Sequence, residues 1–159
     1  MSKISPCLWF NGEAEQAANF YVSLLPDSRI KRIQHNLADG LAGKAGEVLV
    51  VHFTLAGQDY IALNGGTRME YTHAISFSID CADQAEVDRL WDVLTSNGGS
   101  AVQCGWLKDR YGISWQIVPS VLPQLLAGSD HAGAERAMRA MMQMVKLDIA
   151  TLQKAYDGG

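Results

Sequence analysis

Apolar and polar positions alternate, then fall into helical spacing, then alternate again, and the whole sequence of changes occurs twice along the chain. Residues 4–10 alternate as a short strand, and Asn11-Gly12 turns the chain. Residues 13–25 take the helical period, with Ala14, Ala17, Ala18, Tyr21, Leu24 and Leu25 on one stripe, and Pro26-Asp27 ends it. Residues 28–36 form a strand rich in charge, as at a sheet edge. A Gly/Ala-rich loop over 38–46 leads to strands at 48–55 and 60–64, joined around Gly57-Gln58.

The second round begins at 74–80, where Ile75, Phe77 and Ile79 alternate with Ala74, Ser76 and Ser78. Residues 83–96 form a helix: Asp83 is placed to cap it, Glu86 follows three residues on, and Val87, Leu90, Trp91 and Leu94 supply the stripe. Asn97-Gly98-Gly99 closes it. Strands at 101–104, 106–108 and 113–118 follow, the last two joined by a turn at Asp109-Arg110-Tyr111-Gly112. Along the last strand Ile113, Trp115 and Ile117 face one way and Ser114, Gln116 and Val118 the other.

Each round alone would leave half of its sheet uncovered. The expected fold is therefore α+β: two paired βαβββ modules forming a curved mixed sheet with a central cleft, the helices on the convex side. The chain reads as a single domain over 1–159, with module one at about 3–65, module two at about 73–119 and a C-terminal helical extension over 120–157. The extension is predicted as a short helix at 119–128 and one long helix over 134–156. Met138, Met141, Met142, Val145, Ile149, Leu152 and Tyr156 form the apolar stripe of the long helix. Two internal helices already cover the sheet, so the stripe is expected to be buried on a second copy, as a homodimer, or folded back on its own subunit.

Composition narrows the functional classes. With 13 basic and 17 acidic residues the net charge is −4, and no basic cluster points to nucleic acid. No apolar run approaches the roughly 18–20 residues of a membrane span, and no signal-peptide core stands at the N-terminus. Cys7, Cys81 and Cys104 are odd in number and lack CxxC spacing; they read as reduced thiols of a cytoplasmic protein.

Three stretches carry a family resemblance: Phe10-Asn-Gly-Glu-Ala-Glu-Gln-Ala-Ala-Asn-Phe-Tyr21, the hairpin 104–119, and the tail 136–149. With the doubled element order they resemble the PhnB-like branch, often labelled 3-demethylubiquinone-9 3-methyltransferase domain, of the vicinal oxygen chelate superfamily. That superfamily includes glyoxalase I, extradiol dioxygenases, fosfomycin-resistance proteins and bleomycin-binding proteins. The resemblance implies a divalent metal held by His and Glu from the first and fourth strands of each module. Strand parity puts Ser5, Ala62, Ala74 and Gln116 at those places here, and these cannot make a His/carboxylate cage. His73 stands one residue out of register, and a bulge would turn it inward, but one imidazole and one amide make a weak site. The expectation is no metal and no other cofactor.

The same parity lines the cleft with Cys7, Trp9, His52, Tyr60, Asn64, Ser76, Cys104, Trp106, Lys108 and Gln116. Trp9 and Trp106 offer stacking surfaces for a flat or cyclic ligand, or simply fill the space. His52 is placed to act as a general base or to serve as a structural histidine, and Lys108 to neutralise an anion or to be solvated. Cys7 and Cys104 are expected to be buried, inert thiols. A methyltransferase of the common type needs a Gly-rich turn from strand to helix, whereas Gly40-Leu-Ala-Gly-Lys-Ala-Gly46 stands between two strands. Two readings stay open. One is a module that binds a small organic molecule without a metal. The other is an enzyme, metal-dependent through His73, metal-free through His52 or a cysteine, or the labelled methyltransferase.

Overall fold

A computed structural model describes residues 2–159 and divides them into two compact units, one ending at Glu70 and the other running from Tyr71 to Gly159. The first contains β1 (Cys7–Phe10), α1 (Ala14–Val22), β2 (Arg29–His35), β3 (Val48–Leu55) and β4 (Gln58–Asn64). Its sheet has the order β1-β4-β3-β2, with β1 parallel to β4 and the other pairs antiparallel. Charged β2 stands at the edge, as its composition predicts, and is interrupted by a register shift between Ile30 and Arg32.

The alanine stripe explains how α1 seats. Ala14, Ala17 and Ala18 are wholly buried, so the helix approaches the sheet closely over Leu8, Phe10, Val51, Phe53 and Ala62. Tyr21 extends the contact by stacking on Phe53, with ring centroids 6.4 Å apart. Glu13, at the N-cap of α1, makes no side-chain cap bond. Asn64 at the end of β4 does so instead: its Oδ1 accepts from the N–H of Gly12 and of Ala14, each at 3.0 Å, and its Nδ2 donates to the Val48 carbonyl at 3.0 Å.

The second unit repeats the arrangement with β5 (Phe77–Cys81), α2 (Gln84–Thr95), β6 (Ser100–Ala101), β7 (Trp106–Lys108) and β8 (Ser114–Pro119). Its order, β5-β8-β7-β6, matches the first sheet strand for strand. The predicted cap is present: Asp83 Oδ1 accepts from the Glu86 N–H at 2.9 Å, while Glu86 Oε2 accepts from the Ala82 N–H at 2.9 Å. Val87, Leu90, Trp91 and Leu94 of α2 are buried, as are Ile79, Cys81, Leu107, Trp115 and Ile117 on the facing strands.

Several boundaries differ from the sequence reading. The strand expected at 4–10 starts only at Cys7, so Ser5, assigned to a ligand place, lies outside it. The strand expected at 74–80 starts only at Phe77, leaving Ile75 67% exposed instead of packed with Phe77 and Ile79. The strand expected at 101–104 ends at Ala101, because Cys104 and Gly105 both take positive φ and turn the chain. The long helix expected over 134–156 is two helices, α4 (His131–Met142) and α5 (Ile149–Asp157), preceded by α3 (Val121–Leu126). The break serves packing. Leu147 is buried between the two helices in a cluster with Leu122, Leu125, Ala137 and Leu152, and Asp148 caps α5 by accepting from the Thr151 N–H at 2.7 Å.

That break is also anchored to the rest of the unit. Gln84 of α2 donates to the Leu147 carbonyl at 3.1 Å and accepts from the Ile149 N–H at 2.8 Å, and Lys146 pairs with Asp88 at 2.8 Å. The Cys104 and Gly105 N–H groups donate to the Met144 and Val145 carbonyls at 2.9 and 2.8 Å. Much of the apolar stripe is therefore consumed inside the unit. Met138, Met142 and Val145 remain exposed.

Candidate functional site

Ladder register assigns the side chains of the first sheet to its two faces. Cys7 and His52 both pair with Ile61, and Trp9 and Val50 both pair with Leu63, so these residues lie on the face away from α1, as expected for Cys7, Trp9 and His52. Tyr60 and Asn64 do not join them. Tyr60 pairs with Phe53 and stacks on it with centroids 5.4 Å apart, on the helix side, and burial raises its phenol above the usual value. Asn64 is spent on capping α1, and Ala62, assigned to a ligand place, is wholly buried beneath the helix. Apolarity misled the parity in β4, because an alanine-faced helix accepts the small Ala62 below it and leaves the bulkier Ile61 and Leu63 on the far side.

Trp9 is held by its surroundings. Its indole N–H donates to the Thr67 carbonyl at 2.7 Å, and its ring lies on Gly65, where any Cβ would fall 1.9 Å from a ring carbon. Cys7 is exposed, correcting the expectation of a buried thiol, although the protein packed around its sulfur still raises its pKa.

The second sheet gathers more chemistry on the face away from α2. Trp106 stands opposite Gln116, and Lys108 opposite Ser114. Gln116 Nε2 donates to Ser76 Oγ at 3.0 Å, so Ser76, not Ala74, is the β5-side residue that meets the glutamine. Ser114 Oγ shares a 2.7 Å hydrogen bond with His73 Nδ1, and the His73 ring meets Trp106 edge-on, at 82° and 6.1 Å between centroids. His73 reaches this face from the segment preceding β5, with no bulge needed. The signal in the sequence was the polar parity of Ser114 with Gln116. Cys104 lies outside the strands, in the left-handed turn that meets the tail.

These residues do not fit a metal cage. Among the described residues no three His, Cys, Asp or Glu side chains are grouped closely enough to hold an ion. Gln116 is a neutral amide turned to a serine, and His73 has committed one ring nitrogen to Ser114. The glycine series of 40–46 forms a loop between β2 and β3 closed on itself, the Gly40 N–H donating to the Gly43 carbonyl at 2.9 Å; no helix follows, so it lacks the strand–turn–helix form of a dinucleotide or S-adenosylmethionine cradle.

Residues 2–118, three quarters of the chain, match the family model described as 3-demethylubiquinone-9 3-methyltransferase. The chain belongs to this family. A PhnB protein from Bacillus cereus, whose description carries the same methyltransferase label, is 33% identical, with 74% of this chain covering 99% of that one at a TM-score of 0.66. Two more distant structures show the fold. Protein PA1353 from Pseudomonas aeruginosa is 21% identical, with 75% of this chain covering 98% of it at a TM-score of 0.55. The fosfomycin resistance protein FosX from Mesorhizobium loti is 13% identical, with 80% covering 100% at a TM-score of 0.52. The comparison with proteins of curated function gives no match. The family is thus PhnB-like, and its fold is shared with the fosfomycin resistance protein. The matched segment stops at 118, so α3, α4 and α5 lie beyond it. No helix among the described residues is long and apolar enough to cross a membrane.

Proposed function

We propose that the chain binds a small organic molecule on the second sheet, around Trp106, without a resident metal. The observation carrying this reading is the polar row His73–Ser114 and Gln116–Ser76 that brackets Trp106 on one face, while the opposite face is filled by Leu107, Trp115 and Ile117. An indole offers a stacking surface, and the flanking amide and imidazole supply both donors and acceptors. Lys108, two residues along the same face, adds a cation for an acidic ligand. Of the earlier candidates, Cys7, Trp9 and His52 lie on the first sheet and belong to a separate question. Analysis of protein purified without chelators tests the reading: small-molecule extraction is expected to yield a bound organic compound, and elemental analysis to yield no stoichiometric transition metal. A stoichiometric metal overturns it.

One observation favours a second, enzymatic reading. The 2.7 Å bond between Ser114 and exposed His73 is the geometry in which an imidazole accepts a hydroxyl proton. Turnover of a recovered ligand that His73→Ala abolishes while ligand binding persists would establish it. The methyltransferase label has less support, since the glycine series of 40–46 leads into a strand and no S-adenosylmethionine cradle is formed among the described residues.

We further propose a homodimer whose contact includes Met138, Met142 and Val145, all exposed. A patch of three side chains is smaller than the roughly 800 Å² per partner of a stable interface, so it contributes to a broader contact. Met138→Glu with Met142→Glu is expected to shift the light-scattering mass from dimer to monomer; a wild-type protein that is monomeric at about the concentrations used for crystallisation contradicts the proposal. The three free cysteines support a reducing, cytoplasmic setting.

A further inference from the structure

We infer that the first unit carries its own binding site for a small organic anion, built on Arg32 and His52. The site is independent of the second-sheet reading. Arg32 on edge strand β2 and His52 on β3 are direct ladder partners, and the Arg32 guanidinium Nη2 lies 3.0 Å from His52 Nε2. A guanidinium is always charged and only donates. His52 Nε2 must therefore accept, which fixes the imidazole as neutral with its proton on Nδ1. Burial first, then Arg32 and then Lys31, lower the His52 pKa from its ordinary value, against the opposing pull of Asp59.

The charge around this pair is unbalanced. Asp59 on β4 is the nearby carboxylate, but its Oδ1 is committed to Lys31 at 3.0 Å and to the Thr54 hydroxyl at 3.2 Å. Among the described residues no carboxylate pairs with Arg32. Lys31, Arg32 and Asp59 together leave one positive charge on a chain whose net charge is −4.

Backbone geometry shows that the arrangement is built into the strand. Successive strand residues normally face opposite ways. The register shift between Ile30 and Arg32 breaks that rule, and Lys31 and Arg32 both line one pocket of about 380 Å³. His52, Ser5 and the Asp59 carboxylate, which is tied to Lys31, line it as well. This volume lies near the lower end of small-molecule sites. The Arg32 guanidinium and an imidazole with a titratable nitrogen suit a carboxylate or phosphate, with Lys31 held beside them by Asp59. An arriving oxyanion takes the Arg32 donors and favours the protonated imidazole, so Nε2 turns from acceptor to donor.

Phenyl phosphate and benzoate serve as probes for the two kinds of oxyanion, with benzyl alcohol as the neutral control. The readout is the set of His52 imidazole signals in a two-dimensional NMR titration of the full chain. We expect saturable shifts with at least one oxyanion probe at millimolar concentration, an upward move of the His52 pKa, and affinity that rises as the pH falls from about 8 to about 6. Whichever probe binds identifies the preferred oxyanion. Arg32→Met, checked for folding by its NMR spectrum, is expected to lose about tenfold in affinity. The site is refuted if neither oxyanion shifts His52, if benzyl alcohol shifts it equally, if the His52 pKa falls on binding, or if Arg32→Met binds as the wild type does.

Discussion

The Trp115 indole N–H donates to Asp109 Oδ2 at 2.8 Å, from the middle of β8 to the turn that begins it. The other oxygen of the same carboxylate accepts from the Tyr111 and Ile113 N–H groups at 2.8 and 3.0 Å, and Asp109 is only 2% exposed. One buried side chain thus shapes the turn and pins the large residue under α2. Because alternate residues face opposite ways, fixing Trp115 inward directs Ser114 and Gln116 to the other face, where they meet His73 and Ser76. Asp109→Asn places an amide donor against either the indole N–H or the turn N–H groups and is expected to cost about 2 kcal/mol; Asp109→Ala, which strands all three donors, about 3–4 kcal/mol. Chemical denaturation checks the order, and equal stability of Asp109→Ala and wild type would refute the role.

Much of this arrangement was legible in the sequence, and the failures have particular causes. Asp109 and Gly112 announced the turn, Asp83 and Glu86 the start of α2, and the alternation of Trp115 with Gln116 the two faces of β8. Tyr60 and Asn64 were misplaced because hydrophobicity decides parity only when the covering helix demands bulky partners, and α1 demands small ones. His73 was legible as chemistry but not as position, since its approach depends on where β5 begins. The break between α4 and α5 was masked by a helical period that continues across it; Asp148 followed by Thr151 was the local signal. The pairing of Arg32 with His52 needs the register between β2 and β3, including its shift, which no local pattern contains.

Gly105 joins the β7–β8 hairpin to the C-terminal helices. It takes φ +82°, and a Cβ there would lie 2.9 Å from Leu147 Cδ1 and 3.1 Å from the Ile117 carbonyl oxygen. Gly105→Ala is expected to destabilise the protein by about 1–3 kcal/mol through backbone strain and overpacking. Hydrogen exchange should rise at Met144 to Ile149 before it rises in α1. Unchanged stability would mean that the tail is not seated on this turn.

Asn64 caps a helix from a distant strand, and no residue local to α1 replaces it. Asn64→Ala leaves the Gly12 and Ala14 N–H groups and the Val48 carbonyl without their partner, for an expected cost of about 2 kcal/mol in urea unfolding. A loss below about 0.5 kcal/mol would assign the capping to solvent.

The three thiols should separate by reactivity. Burial, then the Glu86 and Asp80 carboxylates, push the Cys81 thiol up to about 12, so at pH 8 only about one molecule in ten thousand carries the thiolate. Exposed Cys7 should react with a thiol reagent in the native protein, and Cys81 only after unfolding. The same shift carries a sign for stability. The fold keeps this proton while the unfolded chain releases it near pH 9, so the contribution of Cys81 is complete below that pH and declines as pH rises toward 12. Cys81→Ala should flatten the alkaline fall in stability; rapid native labelling of Cys81 would contradict the burial on which this rests.

Trp106 and its polar neighbours are proposed to hold an organic molecule without help from a metal. The most direct measurement is a thermal-shift screen of small metabolites, run with excess chelator on the wild type and on Trp106→Ala in parallel. Compounds are expected that raise the wild-type melting temperature in chelator and lose most of that effect in Trp106→Ala. Stabilisation that disappears with chelator, or that survives the loss of the indole unchanged, would contradict it.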